Sequence, residues 1–172
     1  MEPLKSVIRD IPNFPIEGII FKDITPLLSN PDSFKKAIDT MKVRYKDKKI
    51  DRVVGVEARG FVFASALAYA LGCGLVMVRK PGKLPHKTYQ KTYSLEYGED
   101  TIEIHQDAFE NGQRVIIVDD VLATGGTLAA CADLIKENFQ VNIIEVGFLI
   151  ELDFLNGRQK LGNIPIYSMI HF

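Results

Sequence analysis

The sequence predicts an α/β fold, a mostly parallel central sheet flanked by helices, and three features of the chain predict it. Runs nearly continuous in Val, Ile and Leu (RVVGV, LVMV, VIIV and VNIIEVGFLI) lack the polar alternation of a half-exposed strand, so each reads as a strand covered on both faces. Helical patterns separate them, the rhythm that joins parallel neighbours. Two of the strand-to-helix junctions are glycine-containing loops, the place where an open parallel sheet holds its ligands.

In chain order, residues 1–30 carry four Pro and end in FPIEGIIFKDITPLL, which reads as an irregular hood over the sheet. A first core helix is predicted over Asp32–Tyr45, with Asp32 behind Pro31 as its cap. Strand Arg52–Val56 follows, then helix Phe61–Leu71 and strand Leu75–Val78. Residues 79–107 are polar, basic at the start, and alternate Thr, Tyr, Leu and Ile as an extended, flexible hairpin does. An insertion of about 25 residues between core strands exceeds a connector's need, and such loops are usually functional. Strand Val115–Val118, helix Thr127–Asn138, strand Val141–Ile150 and a last strand near Ile166–Ile170 complete the chain. Leu128, Cys131, Leu134 and Ile135 form one apolar stripe on the helix that follows Val118.

The whole chain, 1–172, is expected to form one domain, since a domain typically holds about 100–200 residues. Its 21 Lys plus Arg against 22 Asp plus Glu give a net charge of −1, which argues against nucleic-acid binding through a broad basic surface. Cys73 and Cys131 form no CxxC pair and the three His are scattered, so neither a disulfide framework nor a zinc site is implied. Two reduced core thiols fit a cytoplasmic protein. MEPLKSVIRD has no room for the apolar core of a signal peptide. Gly60–Val78 runs 19 residues without a charge, but Gly72 and Gly74 interrupt it, so it reads as helix, turn and strand with no membrane span.

The strongest local signal is RVIIVDDVLATGGT, Arg114–Thr127. An apolar strand delivers Asp119 and Asp120 to its carboxyl end, and the small-residue loop Ala123, Thr124, Gly125, Gly126 and Thr127 opens a helix. Glycines let amides close on an anion, the Thr hydroxyls add donors, and a helix N-terminus carries roughly half a positive charge. These features make a phosphate cup, with carboxylates upstream to accept hydrogen bonds from sugar hydroxyls. Gly55–Phe61 nearly matches the P-loop pattern, but Phe61 occupies the lysine's place, which removes an ATPase reading. What survives there is an anion-binding turn with Arg59. Arg79, Lys80 and Lys83 end a strand as three cations within five residues, a spacing suited to a highly charged anion.

Taken together, Asp119-Asp120 with ATGGT, FPIEGIIFKDITPLL (Phe14–Leu28), VEARGF (Val56–Phe61), VRKPGKLP (Val78–Pro85) and SLEYG (Ser94–Gly98) resemble the type I phosphoribosyltransferases, and among them the adenine phosphoribosyltransferase family. The resemblance implies that family's fold and its reaction: transfer of phosphoribose from phosphoribosyl pyrophosphate to adenine, giving AMP and pyrophosphate with Mg²⁺. It implies that Ala123–Thr127 hold the 5′-phosphate and that Asp119 and Asp120 accept the ribose hydroxyls. Arg59, the backbone around Ala58, Lys80 and Lys83 would take the pyrophosphate, and a non-proline cis peptide is expected at Ala58–Arg59. Glu96 would serve as proton acceptor, and Tyr97 would close the hairpin over the site. Ile20 and Phe21, with Lys22 standing where many relatives carry Arg, would form the base-binding hood. Mg²⁺ would be held mainly by the substrate's pyrophosphate, with no protein metal site, and a homodimer is expected. Two competing readings are a same-fold transferase for another purine base and a non-catalytic sensor of phosphoribosyl pyrophosphate. The sensor would need a DNA-binding module, and no helix-turn-helix pattern precedes the first core helix.

Overall fold

A computed structural model describes residues 2–94 and 98–172. In chain order it contains α1 (Glu2–Lys5), β1 (Arg9–Pro12), β2 (Ile20–Asp23), α2 (Thr25–Ser29), α3 (Pro31–Tyr45), β3 (Arg52–Val56), α4 (Gly60–Leu71) and β4 (Gly74–Val78). There follow β5 (Thr88–Ser94), β6 (Glu99–His105), β7 (Arg114–Leu122), α5 (Gly126–Asn138), β8 (Asn142–Glu151), two 3₁₀ turns (Asp153–Leu155 and Gly157–Leu161) and β9 (Ile166–His171).

Five strands form the central sheet in the order β4-β3-β7-β8-β9, and every neighbouring pair is parallel. Alternate residues of each strand feed opposite faces. Val53, Ile116 and Val118 pack with α3 and α4 on one side, and Val54, Val56, Val115 and Ile117 pack with α5 on the other. The stripe of Leu128, Cys131, Leu134 and Ile135 is buried on that second face. Ile102 and Ile104 of the antiparallel β5–β6 ribbon are buried there too. The charge-free stretch from Gly60 divides into α4, a left-handed turn at Gly72 and β4. Among the described residues no helix is long and apolar enough to cross a membrane.

Three expectations need correction. Asn30, not Asp32, caps α3: its Oδ1 accepts from the Ser33 amide at 2.9 Å. Pro31 takes the first helical position, where a missing N–H costs nothing, so the cap falls one residue before it. β7 extends to Leu122, well past Val118, because β8 continues to pair through Asp119↔Phe148, Val121↔Ile150 and Leu122↔Glu151. Polar residues at its end masked that continuation. The N-terminal segment is also more regular than expected, since β1 and β2 pair as an antiparallel ribbon. Opposite charges face each other across it, Arg9 with Asp23 at 2.6 Å and Lys22 with Asp10 at 2.7 Å.

The C-terminal end of α3 is tied to the sheet by Glu145 of β8. Its side chain is 4% exposed and accepts both arms of the Arg44 guanidinium, at 2.5 and 2.6 Å. Burial alone would raise the Glu145 pKa, but the hydrogen bonds and charge of Arg44 outweigh it and hold the carboxyl below its usual range. A depressed folded-state pKa contributes stability above the unfolded value of about 4.3, lost as pH falls through the folded value. Glu145→Gln is therefore expected to cost about 2–3 kcal/mol at neutral pH, the low end for a buried pair because Arg44 stays partly in water. In denaturant titrations the gap from wild type should narrow below about pH 4.3. A gap that is the same in acid as at neutrality would contradict this account of the pair.

Candidate active site

The chain leaves β3 for α4 and β4 on one side and leaves β7 for α5 and β8 on the other. Two adjacent parallel strands whose connections diverge leave a crevice beyond their carboxyl ends. A cavity of about 510 Å³ lies there, lined from β3 by Val56, Glu57, Ala58 and Arg59 and from β7 by Asp119, Asp120, Val121, Ala123 and Thr127. Ile19, Ile20, Phe21 and Lys22 close it from the N-terminal ribbon, and Tyr93, Asp100 and Ile102 from the β5–β6 ribbon. Arg79 and Lys80 line it from the end of β4. A smaller adjoining pocket of about 90 Å³ is lined by Thr124, Gly125, Gly126 and Thr127.

The carboxylates sit deep. Asp120 is 4% exposed, and Asp119 Oδ1 accepts from the Asp120 amide at 2.9 Å. Burial raises the pKa of Asp119 well above its usual value, and the neighbouring Asp120 charge adds to that. Asp120 is raised by burial as well, with Arg59 opposing. The Arg59 Nε lies 2.7 Å from Asp120 Oδ2, yet that buried oxygen accepts no aligned hydrogen bond among the described residues. The oxygen is buried against Arg59, in a residue that lines the cavity. α4 begins with a glycine for a related reason: a Cβ on Gly60 would stand 2.7 Å from Asp119 Oδ1.

The cup closes around close backbone approaches. Gly125 is left-handed at φ +78° and precedes α5, so its amides and those of the first turn point outward from the helix start. A Cβ on Gly125 would lie 2.3 Å from the Gly157 carbonyl oxygen, and one on Gly157 would lie 2.2 Å from that of Ala123. The 3₁₀ turn at Gly157–Leu161 is thus the back wall of the cup. The motif reading missed it; the only local signal was the Asn156-Gly157 dipeptide.

On the far side the cations are already engaged. Arg79 reaches both oxygens of Glu57 at 3.2 Å, and the Lys80 amide donates to Glu57 Oε2 at 3.0 Å. The hydrogen bonds from Arg79, then from the Lys80 amide, hold the Glu57 pKa low. The Lys80 ammonium bonds to Asp100. Asp100 accepts in turn from the Tyr93 hydroxyl at 3.1 Å, and that hydroxyl lies 3.0 Å from Thr127 Oγ1. One tyrosine therefore links the helix-start cup to the cation side. Arg59 also lies over Phe21, its guanidinium carbon 5.0 Å from the ring centroid.

Of the residues singled out in the sequence, the larger cavity gathers Arg59, Ala58, Asp119, Asp120, Ala123, Thr127, Lys80, Ile20, Phe21 and Lys22. The adjoining pocket adds Thr124, Gly125 and Gly126. Lys83 lines neither of them. Glu96 and Tyr97 lie outside the described residues. The non-proline cis peptide is Glu57–Ala58, one bond earlier than the expected Ala58–Arg59. The turn begins directly at the end of β3, where the Glu57 amide is still bonded to the Val78 carbonyl at 3.0 Å.

Fold and site define an α/β protein whose cavity at a strand switch point suits an anionic, hydroxyl-bearing ligand. The phosphoribosyl transferase domain model matches residues 23–162. The adenine phosphoribosyltransferases of Syntrophotalea carbinolica and Citrifermentans bemidjiense are each 58% identical over 172 residues, covering 100% of both chains. The crystal structure of adenine phosphoribosyltransferase from Thermoanaerobacter pseudethanolicus superimposes with a TM-score of 0.95 at 50% identity, covering 99% of each chain. That of Saccharomyces cerevisiae, complexed with D-2,5-dideoxy-2,5-imino-altritol 1,6-bisphosphate and adenine, has a TM-score of 0.93 at 46% identity, covering 98% of this chain and 97% of that one. The chain belongs to the phosphoribosyl transferase family, on its adenine phosphoribosyltransferase branch.

The cup's dependence on Gly157 is testable. Gly157→Ala forces a Cβ onto the Ala123 carbonyl, and overpacking of this kind costs about 1–3 kcal/mol. A lowered unfolding midpoint together with weakened binding of ribose 5-phosphate is expected. Unchanged values for both would show that the wall is not tight.

Proposed function

We propose that this chain transfers phosphoribose from phosphoribosyl pyrophosphate to N9 of adenine, giving AMP and pyrophosphate, as a step of purine salvage. One observation carries the reading: the cavity that holds the acid pair Asp119–Asp120, the cations Arg59 and Lys80 and the apolar Ile19, Ile20, Phe21 and Leu152 shares Asp119, Ala123 and Thr127 with the adjoining helix-start cup. Those parts suit a ribose with a phosphate, a pyrophosphate and a flat base.

In the reaction N9 bonds to C1 as the bond from C1 to the pyrophosphate oxygen breaks, and C1 gains oxocarbenium character between the two events. The protein's contribution is placement and charge. Amides and hydroxyls of Thr124–Thr127 hold the 5′-phosphate, and the ribose hydroxyls donate to the acid pair Asp119–Asp120. Arg59 keeps Nε on Asp120 while its remaining N–H groups are free to meet the pyrophosphate, a division that a planar guanidinium permits. Lys80 exchanges Asp100 for a phosphoryl oxygen. Stabilising the departing anion in this way lowers the barrier to its departure. Adenine's N9 proton passes to Glu96, and Tyr97 helps exclude water, which would otherwise hydrolyse the activated sugar. Ile20, Phe21 and Lys22 select the base, a backbone carbonyl being sufficient to accept its exocyclic amine.

The family's Mg²⁺ fits this site as a companion of the substrate. Each carboxylate of the cavity is already bonded to a cation or an amide, and the one three-residue group of potential metal ligands among the described residues, Glu151, Asp153 and His171, does not line the cavity. Phosphoryl oxygens and waters would supply most of its ligands. When bound it offsets negative charge on the pyrophosphate. Free thiols at Cys73 and Cys131 support a cytoplasmic setting. A homodimer is supported by apolar side chains left in water on α4 and the edge strand β4, among them Tyr69 at 90% exposure, Leu75 and Met77.

Asp120→Asn is expected to lower turnover at least about tenfold, a barrier change of about 1.4 kcal/mol, with the unfolding midpoint preserved. Wild-type kinetics in that variant would remove the acid pair from the mechanism. Replacing Ile20 by Trp should raise the KM for adenine more than that for phosphoribosyl pyrophosphate. Equal changes in both constants would count against base recognition by the hood.

A further inference from the structure

The residues lining the 5′-phosphate cup include amides, two hydroxyls and the buried Asp119, but no basic side chain. A phosphate monoester carries close to two negative charges at neutral pH, and a helix N-terminus offers roughly half a positive one. A dianion in such a cup is held more tightly where a further cation stands beside it. Lys160 is placed to supply it: its Nζ lies 3.9 Å from where a Cβ on Gly126 would stand, beside the first turn of α5. Lys160 is exposed and has no ion-pair partner among the described residues. Its backbone, by contrast, is fixed. Gly157 is wedged against Ala123 and Gly125, Arg158 is bonded to both oxygens of Glu151 at 2.5 and 2.6 Å, and Leu161 is 3% exposed in the core beside α5. Arg158 is thus engaged in structure, while the ammonium of the next basic residue in the same turn lies beside Gly126, a residue that lines the cup.

We propose that Lys160 is a phosphate-binding residue, closing the cup over the 5′-phosphate with a side-chain cation that the Asp119–Thr127 loop itself lacks. The inference rests on the reading of that loop as the 5′-phosphate site. It also gives the 3₁₀ turn at Gly157–Leu161 two tasks, a wall through Gly157 and a counter-charge through Lys160.

The test is calorimetric titration of the full chain with AMP and with adenosine, which lacks only the phosphate, in wild type, Lys160→Met and Lys160→Arg. A charge-assisted bond from a partly exposed ammonium predicts that Lys160→Met weakens AMP about tenfold. Adenosine binding should be unchanged, and Lys160→Arg should recover most of the loss. A preference for AMP that survives intact in Lys160→Met overturns the lysine's role alone, as does an equal loss for AMP and adenosine. A wild-type chain that binds AMP no more tightly than adenosine overturns it together with the phosphate-site reading.

Discussion

Two neighbouring carboxylates buried at the end of one strand are the constraint around which the rest of this molecule is arranged. Charged groups leave water at high cost, and two like charges side by side compound it. The chain meets that cost locally. The Asp120 amide serves Asp119, the Arg59 guanidinium faces Asp120, and Gly60 lets α4 start close enough to shield the pair. Burial still raises both carboxyls above their usual value. On the proposed function, the ribose hydroxyls are the donors this pair accepts.

The position of the acid pair follows from topology. β3 and β7 are neighbours whose connections run to opposite sides, so the loops after them part and leave a cleft floored by strand ends. The same geometry aims the start of α5 into the cleft from one side and Arg59 from the other. The β5–β6 ribbon then spans the opening, with Tyr93 on Thr127 and Asp100 on Lys80. On the proposed function, a pyrophosphate taken by Lys80 competes with Asp100 for the lysine.

Much of this was legible in the sequence, because buried parallel strands leave a coarse signal. The Val- and Ile-rich runs located four of the five sheet strands, the last was placed near Ile166–Ile170, and the stripe from Leu128 to Ile135 assigned α5 its buried face. The acid pair, glycines and threonines lie within nine residues of chain, so local chemistry alone marked that loop. What escaped depended on distant partners. Asp119 and Asp120 look like the end of a strand until β8 is known to continue beside them. Asn30 takes the cap from Asp32 because of where the proline falls in the helix. Arg9 and Asp10 gain meaning only opposite Asp23 and Lys22. Gly157 and Lys160 stand thirty or more residues from the loop they complete, and nothing in their own neighbourhood marks them beyond an ordinary Asn-Gly turn. The pairing of Arg79 and Lys80 could not be read either, since their partners Glu57 and Asp100 lie about twenty residues away on each side.

The central claim is that a ribose 5-phosphate lies along one rim, its phosphate on the amides between Thr124 and Thr127 and its hydroxyls on Asp119 and Asp120. A crystal structure of the full chain with AMP tests it most directly. The account predicts phosphate density within hydrogen-bonding distance of those amides, with both ribose hydroxyls on the acid pair and adenine against Ile20 and Phe21. A nucleotide bound elsewhere, with that loop empty, would contradict it.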